Sequence, residues 1–373
     1  SSSGIQSTRR GIVPVDVPLV YVAPGGRSPG LPIVGFDSTR RNSRDARVDG
    51  IVGRDAHRRY PDILGRRPFP GSSMTPTADP GSRSRTGGRS SGTATTVETG
   101  TVRTNDVETY YERRGEGPPI VFVHGMAMST AEWEPQATAL AGEFTTVAYD
   151  VRGHGRTGGS DRGTYDVELY ASDLDALLTG LGVEKPVLCG LSMGGCIAQV
   201  YAATRPENVS GLVLADTFTA GPLSLKGRLL FANLRLFGLL DRVVRYTTLN
   251  RLQTWIGNRL APGVAGDGVT TQRLMEVAPT IPHAEFRKIA RSVADFPASD
   301  ADASRITAPT LILYGEHAPA VLREVHARLA EQLGSADTEV LVVPDAGHAS
   351  NVDNPAFFTD AVRAFARSVH GGD

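Results

Sequence analysis

The chain has 373 residues, 40% of them hydrophobic and 21% charged, a balance typical of globular proteins and unlike that of fibrous or wholly disordered ones. Its net charge of −1 marks no partner, no apolar run approaches the roughly 18 residues of a helical membrane span, and the start lacks the basic, apolar and cleavage-site order of a secretory signal. Cys189 and Cys196, the only cysteines, lie in one apolar stretch without metal-ligand spacing and read as reduced core thiols, so a cytoplasmic protein is expected.

The average charge hides a division. Residues 1–96 carry 15 arginines against 7 aspartates, whereas the remainder carries 24 basic against 33 acidic residues. The arginines of this leader are scattered among Gly, Ser and Pro and share no periodic face, so they do not form a nucleic-acid or lipid stripe. The segment has no core-forming pattern beyond a short apolar run near Val15 to Val22, and its first methionine is Met74. The expectation is a low-complexity disordered leader over 1–96 or a start-site artefact, followed by one catalytic domain over 97–373.

From Val97 the texture changes. A hairpin is predicted in ETGTVRTNDVETYYERRG, turning at Asn105 and Asp106, followed by the buried-strand run PIVFV. A helix near Ala131 to Ala141 leads to the strand TTVAYDV, another over 167–181 leads to PVLCG, and a third from Met193 to Ala203 precedes VSGLVLAD. PTLILYG and EVLVVPD complete the strands. Strands and helices in alternation predict a mostly parallel, doubly wound α/β sheet covered on both faces. Between Asp216 and about Ser299 the strand rhythm stops, and a helical cap insertion is expected over about 217–300. Within it Leu229, Leu230, Phe231, Leu234, Phe237, Leu240 and Val244 recur at helical spacing, which reads first as cap packing on the core and second as a substrate wall or lipid-facing surface.

Gly190-Leu191-Ser192-Met193-Gly194 lies between an apolar strand and a helix, the context of a nucleophile elbow. Such a turn strains the serine backbone and needs small flanking residues, which Gly190 and Gly194 supply. It aims the helix N-terminal N–H groups at a reacting carbonyl. His124-Gly125-Met126 ends the strand PIVFV, where backbone N–H groups of Met126 and Met193 would form an oxyanion hole and His124 would order the loop. His348, after the last strand, is placed to act as general base. Gly153-His154-Gly155-Arg156-Thr157-Gly158 matches a dinucleotide fingerprint, but loop residues Gly159 to Gly163 follow where a helix must open, so that reading is rejected.

The segments HGMA, YDVRGHG, CGLSMGG, LVLADT, PTLILYGEH and PDAGH, in this order and spacing, resemble the α/β-hydrolase superfamily over residues 100–370, and most of all its 3-oxoadipate enol-lactonase and small-esterase group. The resemblance implies an α/β-hydrolase fold with Ser192 as nucleophile, Met126 in the oxyanion loop and His348 as base, acting on a small ester or lactone without metal or organic cofactor. It implies an acid three residues after Gly315, and that residue is Ala318. Asp216, expected two strand spacings from Ser192, and Glu316 are the replacements. A weak or inactive binding protein, a cofactor-free haloperoxidase and a carbon–carbon hydrolase are the alternatives. The oligomeric state has no sequence signal.

Overall fold

The computed structural model describes residues 19–20, 96–240, 278–333 and 337–371. The predicted hairpin is formed by β2 (Val97–Thr104) and β3 (Val107–Arg114), joined at Asn105 and Asp106, with Asn105 at φ 50°. Asparagine tolerates this left-handed backbone better than most residues. Six strands continue the sheet: β4 (Pro119–Val123), β5 (Thr145–Tyr149), β6 (Val187–Leu191), β7 (Gly211–Ala215), β8 (Thr310–Gly315) and β9 (Thr338–Val343). In space they run β9-β8-β7-β6-β4-β5-β3-β2, parallel from β9 to β5 and antiparallel at β5–β3 and β3–β2. A two-residue strand, β1 (Leu19–Val20), pairs in parallel with Val340 and Leu341 on the outer edge of β9. The rest of the leader lies outside the described residues, as do 241–277 of the expected cap.

The central strands are buried along their whole length because both faces are covered, which is why they read as unbroken apolar runs rather than alternating ones. One face packs under α1 (Glu134–Leu140) and α8 (Pro355–His370), with Trp133 between the rings of Phe122, at 5.0 Å, and Phe358, at 5.8 Å. The other packs under α2 (Val167–Leu181), α3 (Met193–Thr204), α5 (His283–Asp295) and α6 (Ala320–Gln332). Local signals set the ends of these helices. Asp166 caps α2 by accepting from Leu169 N at 2.7 Å, and Gly182 ends it at φ 63°. Asn354 ends the one-turn helix α7 (Ser350–Asp353) and caps α8, and Pro355 occupies the first position of α8.

Between β7 and β8 the described chain contains no strand. It forms α4 (Leu225–Leu240), which packs on α5. Of the apolar residues expected at helical spacing here, only some pack on the core. Phe231 is buried against Phe218, with ring centroids 5.0 Å apart, and Leu234 packs on the core, but Leu229, Leu230 and Leu240 are exposed. At about 100° per residue, Leu225, Leu229, Leu236, Leu239 and Leu240 fall on one arc and Phe231 and Leu234 on the opposite one, so α4 carries two apolar faces. The side chain of Phe237 and all of Val244 fall outside the described set. No described helix is long and apolar enough to cross a membrane.

Candidate active site

Ser192 stands between β6 and α3 at φ 53°, ψ −113°, a strained backbone for a residue with a side chain. Its N–H donates to Ala215 O at 2.9 Å, and its own carbonyl accepts from Thr217 Oγ1 at 2.6 Å, so the end of β7 and the segment just past it hold the turn. A Cβ at Gly194 would overlap the Val123 carbonyl, and one at Gly190 would overlap the Gly194 backbone. The two glycines therefore allow α3 to approach the end of β4 closely enough to bring Ser192 beside the His124–Gly125 turn. Ser192 remains 9% exposed in an otherwise buried helix start.

The turn after β9 delivers His348. Asp345 is at φ 55°, Gly347 N donates to Asp353 Oδ2 at 2.8 Å, and His317 N donates to Ala346 O at 2.9 Å. His348 Nε2 then lies 3.2 Å from Ser192 Oγ, with the Phe218 ring 6.3 Å away. Burial lowers its pKa to about 4, so the ring is neutral at ordinary pH and able to take a hydroxyl proton. Its Nδ1 is buried and finds no hydrogen-bond partner among the described residues.

Neither acid candidate reaches that nitrogen. Asp216, at φ 44° and fully buried, lies one strand spacing from Ser192 rather than two, because β7 pairs directly with β6. Its Oδ1 accepts from Gly315 N at 3.1 Å and its Oδ2 from Ser350 N at 3.3 Å. The carboxylate is occupied in tying the ends of β7 and β8 to the segment just past His348, and burial raises its pKa to about 7. Glu316 points the other way, its Oε2 accepting from Asp345 N at 3.1 Å. With His317 and Asp345 it brings three potential ligand atoms within 4.8 Å of one another at the surface, the metal-ligating geometry found among the described residues. Ala318, where the resemblance implies an acid, is buried and donates its N–H to Gly315 O at 2.9 Å.

The turn after β4, where the oxyanion hole is expected, is held by Glu132, which no motif singled out, and by His154 of the YDVRGHG segment. Gly125 N donates to Glu132 Oε2 at 2.8 Å, and Ala127 N donates to His154 Nε2 at 3.1 Å. Burial raises the Glu132 pKa to about 7 and lowers that of His154 to about 3. His124 accepts from Val151 N at Nε2, 2.9 Å away, and its Nδ1 lies 2.8 Å from Gly125 O, so it orders the loop as a neutral ring. None of these bonds uses the Met126 N–H, and Met193 opens α3, where an N–H has no intrahelical acceptor. The glycine-rich loop 153–158 closes on Asp150, which accepts from Arg156 N and Thr130 N at 2.7 Å each, and no helix opens until Val167. Both cysteines are buried thiols, with the Cys196 pKa pushed up to about 12 by burial.

Residues 118–355 match the family described as alpha/beta hydrolase fold. The chain is 27% identical over 256 residues to 3-oxoadipate enol-lactonase 1 of Acinetobacter baylyi, a match covering 68% of this chain and 90% of that protein. It is also 27% identical over 262 residues to a 2-(acetamidomethylene)succinate hydrolase of Mesorhizobium japonicum, covering 68% and 89% respectively. A thermophilic esterase from Thermogutta terrifontis superposes with a TM-score of 0.61 at 27% identity, covering 74% of this chain and 99% of that one. With its sheet order, its glycine-flanked turn at Ser192 and its match over the greater part of its length, the chain belongs to the alpha/beta hydrolase fold family.

Proposed function

We propose that this protein is a serine hydrolase that cleaves a small carboxylic ester or lactone through an acyl-enzyme on Ser192. The observation that carries the reading is the 3.2 Å approach of His348 Nε2 to Ser192 Oγ within a strained strand-to-helix turn. His348 takes the hydroxyl proton as Oγ bonds to the acyl carbon, then gives it to the departing alkoxide. A water molecule, deprotonated by the same nitrogen, releases the acid and restores Ser192. The N–H groups of Met126 and Met193 receive the negative oxygen of each tetrahedral intermediate. Phe218, beside His348 and in contact with Phe231 of α4, supplies an apolar wall suited to a small acyl chain.

The test is reaction with a fluorophosphonate probe and a panel of short acyl esters and lactones. Labelling at Ser192 and turnover of at least one ester or lactone are expected, with Ser192→Ala folded, unlabelled and slower by several orders of magnitude, on the order of 10⁵ or more. Full activity in that variant rules out the mechanism. The second reading, a weak or inactive binding protein that retained the pocket, is favoured by one observation, the lack of an acceptor for His348 Nδ1. It predicts tight binding of an ester or lactone without turnover.

A further inference from the structure

Among the described residues seven large apolar side chains are exposed, and six of them are leucines of α4. Single exposed apolar residues are ordinary on a globular surface, whereas a contiguous patch marks a surface that something covers. At about 100° per residue, Leu225, Leu229, Leu236, Leu239 and Leu240, which are 41–74% exposed, share with Ala232 an arc about 100° wide. The opposite arc is already packed, Phe231 on Phe218 and Leu234 on the core. The 16 residues of α4 include three basic residues and no acidic one, and the exposed Arg228 and Arg235 fall along one edge of the leucine arc. Beyond that edge α4 and α5 enclose a cleft of about 560 Å³, to which α4 contributes Arg235 and Leu239 and α5 contributes Arg287, Lys288, Arg291 and Asp295. Glu285 matches Lys288 at 2.5 Å, and Asp295 is shared by Arg235 and Arg291. Arg287, one turn before Arg291, is exposed and has no ion-pair partner among the described residues, so the cleft keeps positive charge.

We propose that the leucine arc of α4 and the arginines of the adjoining cleft form a docking face for an anionic phospholipid surface. The leucines enter the boundary between headgroups and acyl chains, and Arg235, Arg287 and Arg291 take the lipid phosphates. A helix of this length spans about 24 Å and is too short and too charged to cross a bilayer, so it lies flat in the interface. The chemistry of the face favours lipid over protein. Its described side chains include no exposed aromatic residue, whereas protein interfaces rely on Tyr, Trp and Arg anchors and seldom on leucine. A second copy of the chain seated two-fold on the same face would set Arg228 and Arg235 against their own counterparts, with no acid on α4 to receive them. The docking face lies on the far side of α4 from Phe231 and Phe218, so the inference stands independently of the acyl-enzyme reading.

The experiment is flotation of the full chain with vesicles of equimolar phosphatidylcholine and phosphatidylglycerol, beside vesicles of phosphatidylcholine alone. Wild-type protein is expected to float with the anionic vesicles and about tenfold less with the neutral ones, and to lose that difference as salt screens the arginines. The double variant Leu229→Glu with Leu236→Glu is expected to lower partitioning about a hundredfold or more, and Arg287→Gln alone about fivefold. All three side chains are exposed, so melting temperatures are expected within about 2 °C of the wild type. Failure of the wild type to bind, or equal binding to both kinds of vesicle, overturns the proposal. So does binding that survives the double variant, which would belong to arginines elsewhere, such as those before residue 97. A wild-type dimer that does not float, and that the double variant dissociates in sedimentation, assigns the face to a second copy of the chain and overturns the lipid assignment as well.

Discussion

At the scale of single residues, burial is the force that sets the site's chemistry. His348 is held neutral down to about pH 4 because an imidazolium there loses its hydration. On the proposed mechanism the ring must be neutral, so the acid limb of kcat/KM that belongs to His348 is expected near pH 4, more than two units below the value of a free histidine. A pH–rate profile with its acid limb near 6.5 would show a solvated base instead. Asp216 acts in the opposite sense, by architecture. Its two oxygens each take a backbone N–H, from Gly315 and Ser350, whereas an amide accepts with one atom and donates with the other. Asp216→Asn is therefore expected to leave one buried N–H unsatisfied, at a cost of about 1–3 kcal/mol, and to slow turnover about tenfold by loosening the His348 segment. Melting temperature and kcat measured together check this. A loss near 10⁴ in kcat at unchanged stability would instead put the carboxylate on the imidazole in the reacting enzyme.

At the scale of elements, the active turn depends on how closely α3 approaches β4. The obstruction at Gly194 is the Val123 carbonyl, a backbone atom that cannot rotate away. Gly194→Ala is expected to displace the turn, lowering stability by about 1–3 kcal/mol and kcat/KM by about a hundredfold or more. Gly142→Ala serves as the control, because a methyl there meets nothing within 4 Å. Equal melting points and equal activity in the two variants would show that the close approach has no functional consequence. The strands around this turn were legible in the sequence because burial on both faces leaves an apolar run, and the helices because their stretches alternate with those runs, while the caps Asp166 and Gly182 fix the ends of α2 in the structure. The two apolar faces of α4 were not. Spacing reports that leucines recur, and only the packing of Phe231 on Phe218 reveals which arc is inward.

At the scale of the whole molecule, the sheet from β2 to β9 separates two apolar clusters, one under the helices of each face, and the leader's described contribution is the pairing of Leu19 and Val20 with β9. A two-residue edge strand adds little to a core of that size. A chain beginning at Val97 is expected to melt within about 2 °C of the full chain, whereas a drop of more than about 5 °C would mean that the leader packs and contributes more than a kilocalorie.

The residues proposed as nucleophile and base could both be singled out from the chain alone, because each rests on local chemistry. Ser192 needs small neighbours within two positions and a strand-to-helix change, and His348 needs only to follow the last strand. The third member could not, because it depends on where carboxylates separated by a hundred residues direct their oxygens. Asp216 follows its strand as a triad acid could, yet its positive φ and the backbone N–H groups of Gly315 and Ser350 consume it. Glu132, which holds the turn after β4, and His326, which stacks on Tyr314, leave no trace in any spacing, and His154 stands in a motif that does not show its bond to Ala127, since these partners are brought together by strand order and helix packing. A short-range pattern can declare a backbone turn. The pairing of buried polar atoms is decided when the layers close, since water is then no longer there to take their hydrogen bonds.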